Sequence, residues 1–575
     1  MNIWFLSDPI RAEYERQRIA DLKDQSWLQG GIWLLRGGHL CYDSEIVIAE
    51  TIYAVTLRYP VTFPTTPPYV LPRGEATRWS EHQYGAGGEL CLEYGADNWH
   101  SDLTGADLLL SAYRLLLAEG GIDDRVRQEV QSRHKATEGQ RLRSRWLRWV
   151  QTGPLMEIVT SVVGPCDLTV RLTLTENTMT AVVSKVVALQ GTEWLDPTLP
   201  IEHMPSQWRL VKGFLLPAAA PNQPVTDWNS LLEAALACGA NVEKLKTGEV
   251  EVVLVIGEEG PKLLWVWRDD GRVLPFEPLP PQVENSKRLQ PEYERLARYR
   301  VAVVGNGSMG SKIAASLARA GVLDFLLIDD DVFRPENIIR NDLDWRQVGE
   351  HKVEGVTHRI LNIAPGATCD LRRARLSGQE SSGHTADVVH ALSEADVIVD
   401  ASADPEVFNL LSMIIKASGK KLVWGEVFAG GIGGLIARHR PGVDPHPQAM
   451  RLAMLRWCEE QQTPPPPVPT APYETNGEAF PLVADDADVS VIAGYLTQLV
   501  TDLLVKEESN YPCSMYLIGM KPGWIFRQPF ETFPLDIGKA DEDAYEPADP
   551  IALERGCQFV LELISKSIDA IDHPD

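Results

Sequence analysis

Apolar and polar positions divide the chain into three regions with different periods. From Ile32 onward, IWLLRGGHLCYDSEIVIAETIYAVTLRYPVTF alternates apolar and polar residues between glycine turns. A period of two with β-branched runs predicts antiparallel strands. A proline-rich elbow and a cysteine-bearing loop come next. LTGADLLLSAYRLLLAEGG then switches to helical spacing. Residues 123–149 hold many arginines, end in RLRSRWLRWV, and read as a solvated helix leading out of a first region, 1–150, or alternatively as a docking face for an acidic partner.

The middle region, 151–285, mixes the strand-like runs LTVRLTLT, VEVVLVIG and LLWVW with one helical stretch, WNSLLEAALACG. It shows no internal repeat and no motif that carries chemistry. FEPLPPQVENSKRLQPEYERLARYR has linker composition and then turns helical. The third region, 286–575, opens with RYRVAVVGNGSMGSKIAASLARAGVLDFLLIDDD. Strand, glycine turn, alanine-rich helix and a second strand ending in acids make a βαβ unit of a doubly wound sheet. Further strands are expected at DVIVDAS, KLVWGEV, SMYLIGM and GWIFRQ, and a helix at VIAGYLTQLVTDLLV. TPPPPVPTAPYETNG fits neither a helix nor a central strand and reads as a mobile loop. The expected class is α/β and α+β multidomain: an α+β N-terminal domain, a β-rich middle domain, and a C-terminal doubly wound, Rossmann-like domain.

Composition narrows the function. Hydrophobic residues make up 44% and charged residues 23% of 575, which excludes a wholly disordered chain. Lys and Arg number 54 against 80 Asp and Glu, a net charge of −26. That sign disfavours nucleic acid and anionic membranes as partners. Eight cysteines are scattered, with no CxxC pair, and read as free thiols in a reducing cytoplasm. The opening MNIWFLSDPIRAEYERQR has an apolar patch broken by Asp8 and Pro9, unlike a secretory signal. No transmembrane run is expected.

Gly305, Gly307 and Gly310 form GxGxxG, a tight turn followed by a helix N-terminus that can hold phosphate. Asp329 ends the next strand, where it can accept ribose hydroxyls. These features alone fit a dinucleotide as well as ATP. The next segment brings in Asn337, Arg340 and Lys352, and two cations near a phosphate turn suit a triphosphate and its leaving pyrophosphate. Asp404, after VIVDASAD, sits where a carboxylate can hold Mg²⁺. An ordinary Rossmann oxidoreductase would leave Arg340, Lys352 and Asp404 unexplained.

DDDVFRPENIIRND resembles the DxDxVxxxNLNRQ stretch of the ubiquitin-activating superfamily, which includes bacterial adenylating enzymes of thiamine and molybdopterin synthesis. The resemblance spans about residues 298–440. It implies that Asp329 binds ribose, Arg340 and Lys352 bind phosphates, and Asp404 binds the metal. The usual Asp-Ala-Thr-Asp is here Asp-Ala-Ser-Ala-Asp, one residue longer.

YPVTFPTTPPYVLP, followed by GGELCLEYGADNWHSDLTGADLLLSAYRLL, resembles ubiquitin-conjugating enzymes. The elbow, the Gly-x-Leu-Cys-Leu around Cys91, Trp99 eight residues later, and Leu-Thr opening an apolar helix all match. Cys91 is therefore the candidate thioester acceptor, since a thiolate is a strong nucleophile and its thioester stays reactive towards amines. A loop cysteine without these flanks reads as merely buried. The family's His-Pro-Asn is missing, and Glu81-His82-Gln83-Tyr84 stands in its place. The oxyanion role of that asparagine then falls to His82, Gln83 or Asn98, with His82 preferred.

Conjugating half first, activating half second, with a β-rich middle, resembles the fused enzymes of bacterial CBASS anti-phage operons. That resemblance implies ATP-dependent adenylation of a protein C-terminus, a thioester, and an isopeptide on target lysines. The implied modifier is a cGAS-like nucleotidyltransferase or a ubiquitin-like protein, and the implied assembly is a homodimer. The activating half should supply its own cysteine before helix 489–505. AFPLVADDADVS contains none, so Cys458, earlier in the same crossover, is preferred over Cys513; if neither serves, the adenylate passes straight to Cys91. Two other classes compete: a non-catalytic modifier-binding scaffold, and an adenylating sulfur-carrier activator, which would not need a conjugating half.

Overall fold

In the computed structural model, the alternating N-terminal stretch forms a four-stranded antiparallel meander. Its strands are Leu28–Arg36, His39–Ile48, Thr51–Arg58 and Tyr69–Pro72, neighbours in chain order. The structure describes residues 3–22, 24–74, 79–80, 83–84, 87–119, 139, 142, 145–204, 208–217, 225–257, 260–268, 271–280, 289–464, 484–540 and 550–572. The chain divides into two compact units, Met1–Arg145 and Trp146–Asp575.

In the first unit, helix Pro9–Ala20 precedes the meander. Asp8 caps it by accepting from the Arg11 N–H, and Pro9 takes the first position, where no donor is needed. Helix Gly105–Glu119 follows the meander. Its Leu108, Leu109, Ala112, Leu115 and Leu116 repeat with helical spacing and are buried with Tyr42, Tyr59 and Phe63. Between sheet and helix, the short hairpin Gln83–Tyr84/Glu89–Leu90 leads into Cys91.

Among the described residues, the second unit holds two sheets. One has nine strands and contains the runs expected at Cys166–Thr175, Val252–Gly257 and Gly260–Trp267. Leu147–Val150, read from sequence as the end of a solvated helix, is a strand of this sheet. Leu147 and Trp149 point into the core while Arg148 and Val150 do not, so a two-residue period overrides the arginine content. Most of the arginine-rich stretch lies outside the described residues, as does most of the proline-rich loop.

The other sheet has eight strands in the order Thr368–Arg372, Asp324–Ile328, Arg300–Val304, Val397–Asp400, Lys421–Val427, Gly433–His439, Met515–Gly519, Thr532–Pro534. The first five run parallel and the last three antiparallel. Val301 and Val303 face helices Ser308–Ala320, Lys352–Ile363 and Asp486–Val505. Ala302 and Val304 face helices Ser382–Glu394, Pro405–Ser418 and Pro447–Glu460. Burial on both faces explains the unbroken apolar runs of these strands. Asp486–Val505 is, contrary to expectation, long and apolar enough to cross a membrane by length and composition. Its Val489, Ile492, Leu496 and Leu499 lie in the core of this sheet. All eight cysteines are unpaired.

Candidate functional site

The chain leaves strand Arg300–Val304 towards one neighbour, Asp324–Ile328, and returns on its other side as Val397–Asp400. A crevice opens at the carboxyl ends of strands where the order reverses in this way. Here it is a cavity of about 860 Å³. Gly305, Gly307, Asp329, Asn337, Arg340, Lys352 and Asp404 all line it. Gly310 does not line it but allows the turn to close. A Cβ at Gly310 would stand 1.8 Å from the Gly305 carbonyl oxygen, and one at Gly305 would stand 2.8 Å from the Ser402 backbone. Gly305 also has φ +81°, which favours glycine. The turn therefore lies directly against the loop carrying Ser402 and Asp404.

The acidic strand end is braced from both sides. Asp329 accepts from the Asn306 N–H at 2.6 Å and the Asp331 N–H at 2.9 Å. Burial pushes its carboxyl above the usual range, with Lys352 pulling the other way. Burial opposes ionisation of Asp331, but its pairing with the Lys352 ammonium, together with the Val332 N–H and Arg334, holds that carboxyl below its usual range. Asn337 commits its side-chain oxygen to the Arg334 N–H at 2.9 Å, which pins the loop carrying Arg340.

Asp404 is the N-cap of helix Pro405–Ser418. Its Oδ1 accepts from Glu406 N–H at 2.8 Å, and its Oδ2 from the Ser377 hydroxyl at 2.8 Å. A carboxylate has about four lone-pair sites, so acceptor capacity remains towards the cavity. Behind it lies Asp400, buried and accepting from Ser402 N–H and hydroxyl. Burial pushes the Asp400 carboxyl up to about 6. Sequence reasoning missed Asp331, Arg334, Ser377 and Asp400. Asp331 was within reach as the next-but-one residue after Asp329; Ser377 was not, because only the fold brings it to Asp404.

Cys458 does not sit in the crossover loop where the sequence suggested it. It lies within helix Pro447–Glu460, not in a loop, and is 1% exposed beside Met450 and Met454. Burial pushes its thiol up, which opposes thiolate formation. Cys513 is half-buried, its backbone N–H bonded to the Tyr516 hydroxyl at 2.9 Å. Among the described residues, no cysteine lines the cavity.

In the first unit, Cys91 is half-buried directly after the hairpin. The indole N–H of Trp99 donates to the Pro64 carbonyl at 2.7 Å, tying the cysteine loop to the proline elbow. His82 lies outside the described residues. The other two candidates for the oxyanion role are committed to the loop itself. Gln83 accepts from Trp79 and Ser80 N–H and donates to the Gly88 carbonyl. Asn98 accepts from Gly95 N–H and donates to the Glu93 carbonyl. The side chain that meets the sulfur is one the sequence did not single out. The Tyr84 hydroxyl lies 2.8 Å from the Cys91 Sγ.

Residues 282–512, which contain the whole cavity, match the ThiF family. The chain carries a ThiF-family domain. Uncharacterized protein y4qC of Sinorhizobium fredii is 26% identical over 433 residues, 67% of this chain and 70% of that protein. Uncharacterized protein y4oA of the same organism is 30% identical over 161 residues, but that match spans only 26% of this chain and 27% of y4oA. ATP-dependent ubiquitin transferase-like protein Cap2 of Enterobacter hormaechei is 29% identical over 113 residues, 20% of this chain and 18% of Cap2. The ThiF domain thus brings a mixed α/β, Rossmann-type adenylation fold to a multidomain chain.

Proposed function

We propose that the ThiF domain uses ATP to adenylate the C-terminal carboxylate of a protein, and that the acyl group then passes to Cys91 and on to a lysine amine. ThiF-family relatives are ATP-dependent adenylating enzymes, which supports the first step. One observation carries the reading. The glycine turn, Asp329, Arg340, Lys352 and Asp404 are far apart in sequence yet line one cavity at the switch point of the sheet.

Chemically, a carboxylate oxygen attacks the α-phosphorus, the bond to the β-phosphate oxygen breaks, and pyrophosphate leaves. Arg340 and Lys352 stabilise the charge that develops on it. Asp329, braced by two backbone N–H groups, accepts the ribose hydroxyls. Mg²⁺ on ATP takes one or two protein carboxylates, and Asp404 fits that need; the ion would neutralise phosphate charge. The Cys91 thiolate then attacks the acyl carbon and AMP leaves. Helix, antiparallel meander, cysteine hairpin and helix in that order support a ubiquitin-conjugating-like first unit. With Cys458 buried, direct transfer from the adenylate to Cys91 is the simpler path.

The same reading makes the modifier a cGAS-like nucleotidyltransferase or a ubiquitin-like protein, acting in the cytoplasm in CBASS-type anti-phage defence, with the enzyme a homodimer. The match to an ATP-dependent ubiquitin transferase-like protein supports the ATP-dependent transfer in this reading. The test is ATP–pyrophosphate exchange, with the proteins of neighbouring genes as acceptors. Exchange together with a reductant-sensitive adduct on Cys91 is expected. Exchange that survives Arg340→Ala and Asp404→Ala overturns the assigned site.

A further inference from the structure

Tyr84 belongs to the two-residue strand Gln83–Tyr84, paired with Glu89–Leu90, and Cys91 is the next residue after that hairpin. The register sets Tyr84 opposite Glu89, which brings the phenol back over the cysteine, with its hydroxyl 2.8 Å from Sγ. Tyr84 is 56% exposed, so core packing does not explain the placement. Gln83 and Asn98 both have their amides engaged with backbone groups of the loop. The phenol is therefore the described side-chain donor that reaches the reacting atom.

We propose that Tyr84 is a catalytic residue of acyl transfer at Cys91, its O–H donating to the sulfur in the free enzyme and to the acyl oxygen as the thioester is attacked. This rests on the reading of Cys91 as the thioester acceptor. In a thioester the carbonyl oxygen sits two bonds from sulfur, so a donor placed on Sγ reaches it by a small rotation of the phenol. When a lysine amine attacks the acyl carbon, the carbonyl π pair moves to oxygen and Tyr84 donates to that oxyanion. The pair then re-forms the carbonyl, the C–S bond breaks, and sulfur leaves as thiolate and accepts the Tyr84 O–H again. The amine proton goes to solvent. Partial burial, the bond to Cys91 and the nearby Asp97 and Glu89 push the phenol up to about 12, so near neutral pH it keeps the proton it must donate.

The experiment uses the full-length chain charged without ATP, by exchange with a synthetic glycyl-peptide thioester. Mass spectrometry of the digested protein locates the acyl group, and free lysine then discharges it. In wild type the label is expected on Cys91. Tyr84→Phe is expected to lower the discharge rate at saturating lysine about a hundredfold, the scale for losing one oxyanion donor. The lysine concentration at half-maximal rate is expected to stay within about twofold, because amine binding is untouched. Tyr84→Phe melts should match wild type, since the ring is retained, and a matched melt removes misfolding as the cause. Equal discharge rates for wild type and Tyr84→Phe overturn the Tyr84 assignment and leave Cys91 standing. A wild-type chain that takes no acyl group on Cys91 overturns both.

Discussion

Lys352 has a partner before any nucleotide arrives. Its ammonium is paired with Asp331, so a phosphate must share or displace that carboxylate. If Lys352 stabilises the leaving pyrophosphate as proposed, Lys352→Met cuts ATP–pyrophosphate exchange about a hundredfold, because that cation is removed. Asp400 makes a different prediction, about stability. Its folded value of about 6 lies above the usual 3.8, so the native state holds its proton more tightly than the unfolded chain does. The stabilisation this gives is complete below about pH 4 and is lost as pH rises through about 6. Two units correspond to about 3 kcal/mol in all. Urea unfolding from pH 5 to 7.5 should show wild type losing about 1 kcal/mol or more from this group, and Asp400→Asn should flatten that slope. A slope unchanged in Asp400→Asn would mean that another group carries it. At this scale the sequence was legible where chemistry is local. Asp329 follows the glycine turn by one helix and one strand, and Cys91 stands out in the sequence by its immediate neighbours. Tyr84 over Cys91 and Ser377 on Asp404 were hidden, because a hairpin register and a sheet crossover create those contacts.

Among the elements, helix Pro405–Ser418 and the glycine turn give sharper tests than the charged residues do. Asp404 is both the cap of that helix and the proposed metal ligand. Asp404→Ala is predicted to cost about 1 kcal/mol of stability through the lost cap, as well as activity. Asp404→Asn keeps the cap and should melt close to wild type, yet lose pyrophosphate exchange because its charge is gone. If Asp404→Asn keeps full exchange, the residue is only a cap. Gly310→Ala sets a methyl group against the Gly305 carbonyl, so helix Ser308–Ala320 must move away from the turn. A cost of about 1–3 kcal/mol and loss of ATP binding are expected, read by thermal melting and by nucleotide titration. Helix Pro447–Glu460 shows why the Cys458 expectation went astray. Met450, Ala453, Met454 and Cys458 repeat with helical spacing and are all buried. That helical period marks Cys458 as a core position of the helix rather than a residue of the crossover loop. Leu147–Val150 went astray in the same way, its alternation outvoted by its arginines.

For the whole molecule, the apolar runs showed which segments are strands but not their neighbours. Arg209–Leu216 pairs in parallel with Val252–Gly257 across a stretch that contains two helices, an arrangement no local period encodes. The cavity and Cys91 sit in separate compact units, the cavity in Trp146–Asp575 and Cys91 in Met1–Arg145. If adenylation is complete within the second unit, the two halves must fail independently. Cys91→Ala should leave ATP–pyrophosphate exchange within about twofold of wild type, since no cavity residue is touched. It should abolish the reductant-sensitive adduct. Arg340→Ala should abolish both, because no adenylate forms for sulfur to attack, yet it should still accept an acyl group on Cys91 from a peptide thioester. Side-by-side assays of exchange, ATP-driven loading and thioester-driven loading separate these cases. Loss of exchange in Cys91→Ala would mean that the cysteine takes part in adenylation itself, and the order of steps would have to be redrawn.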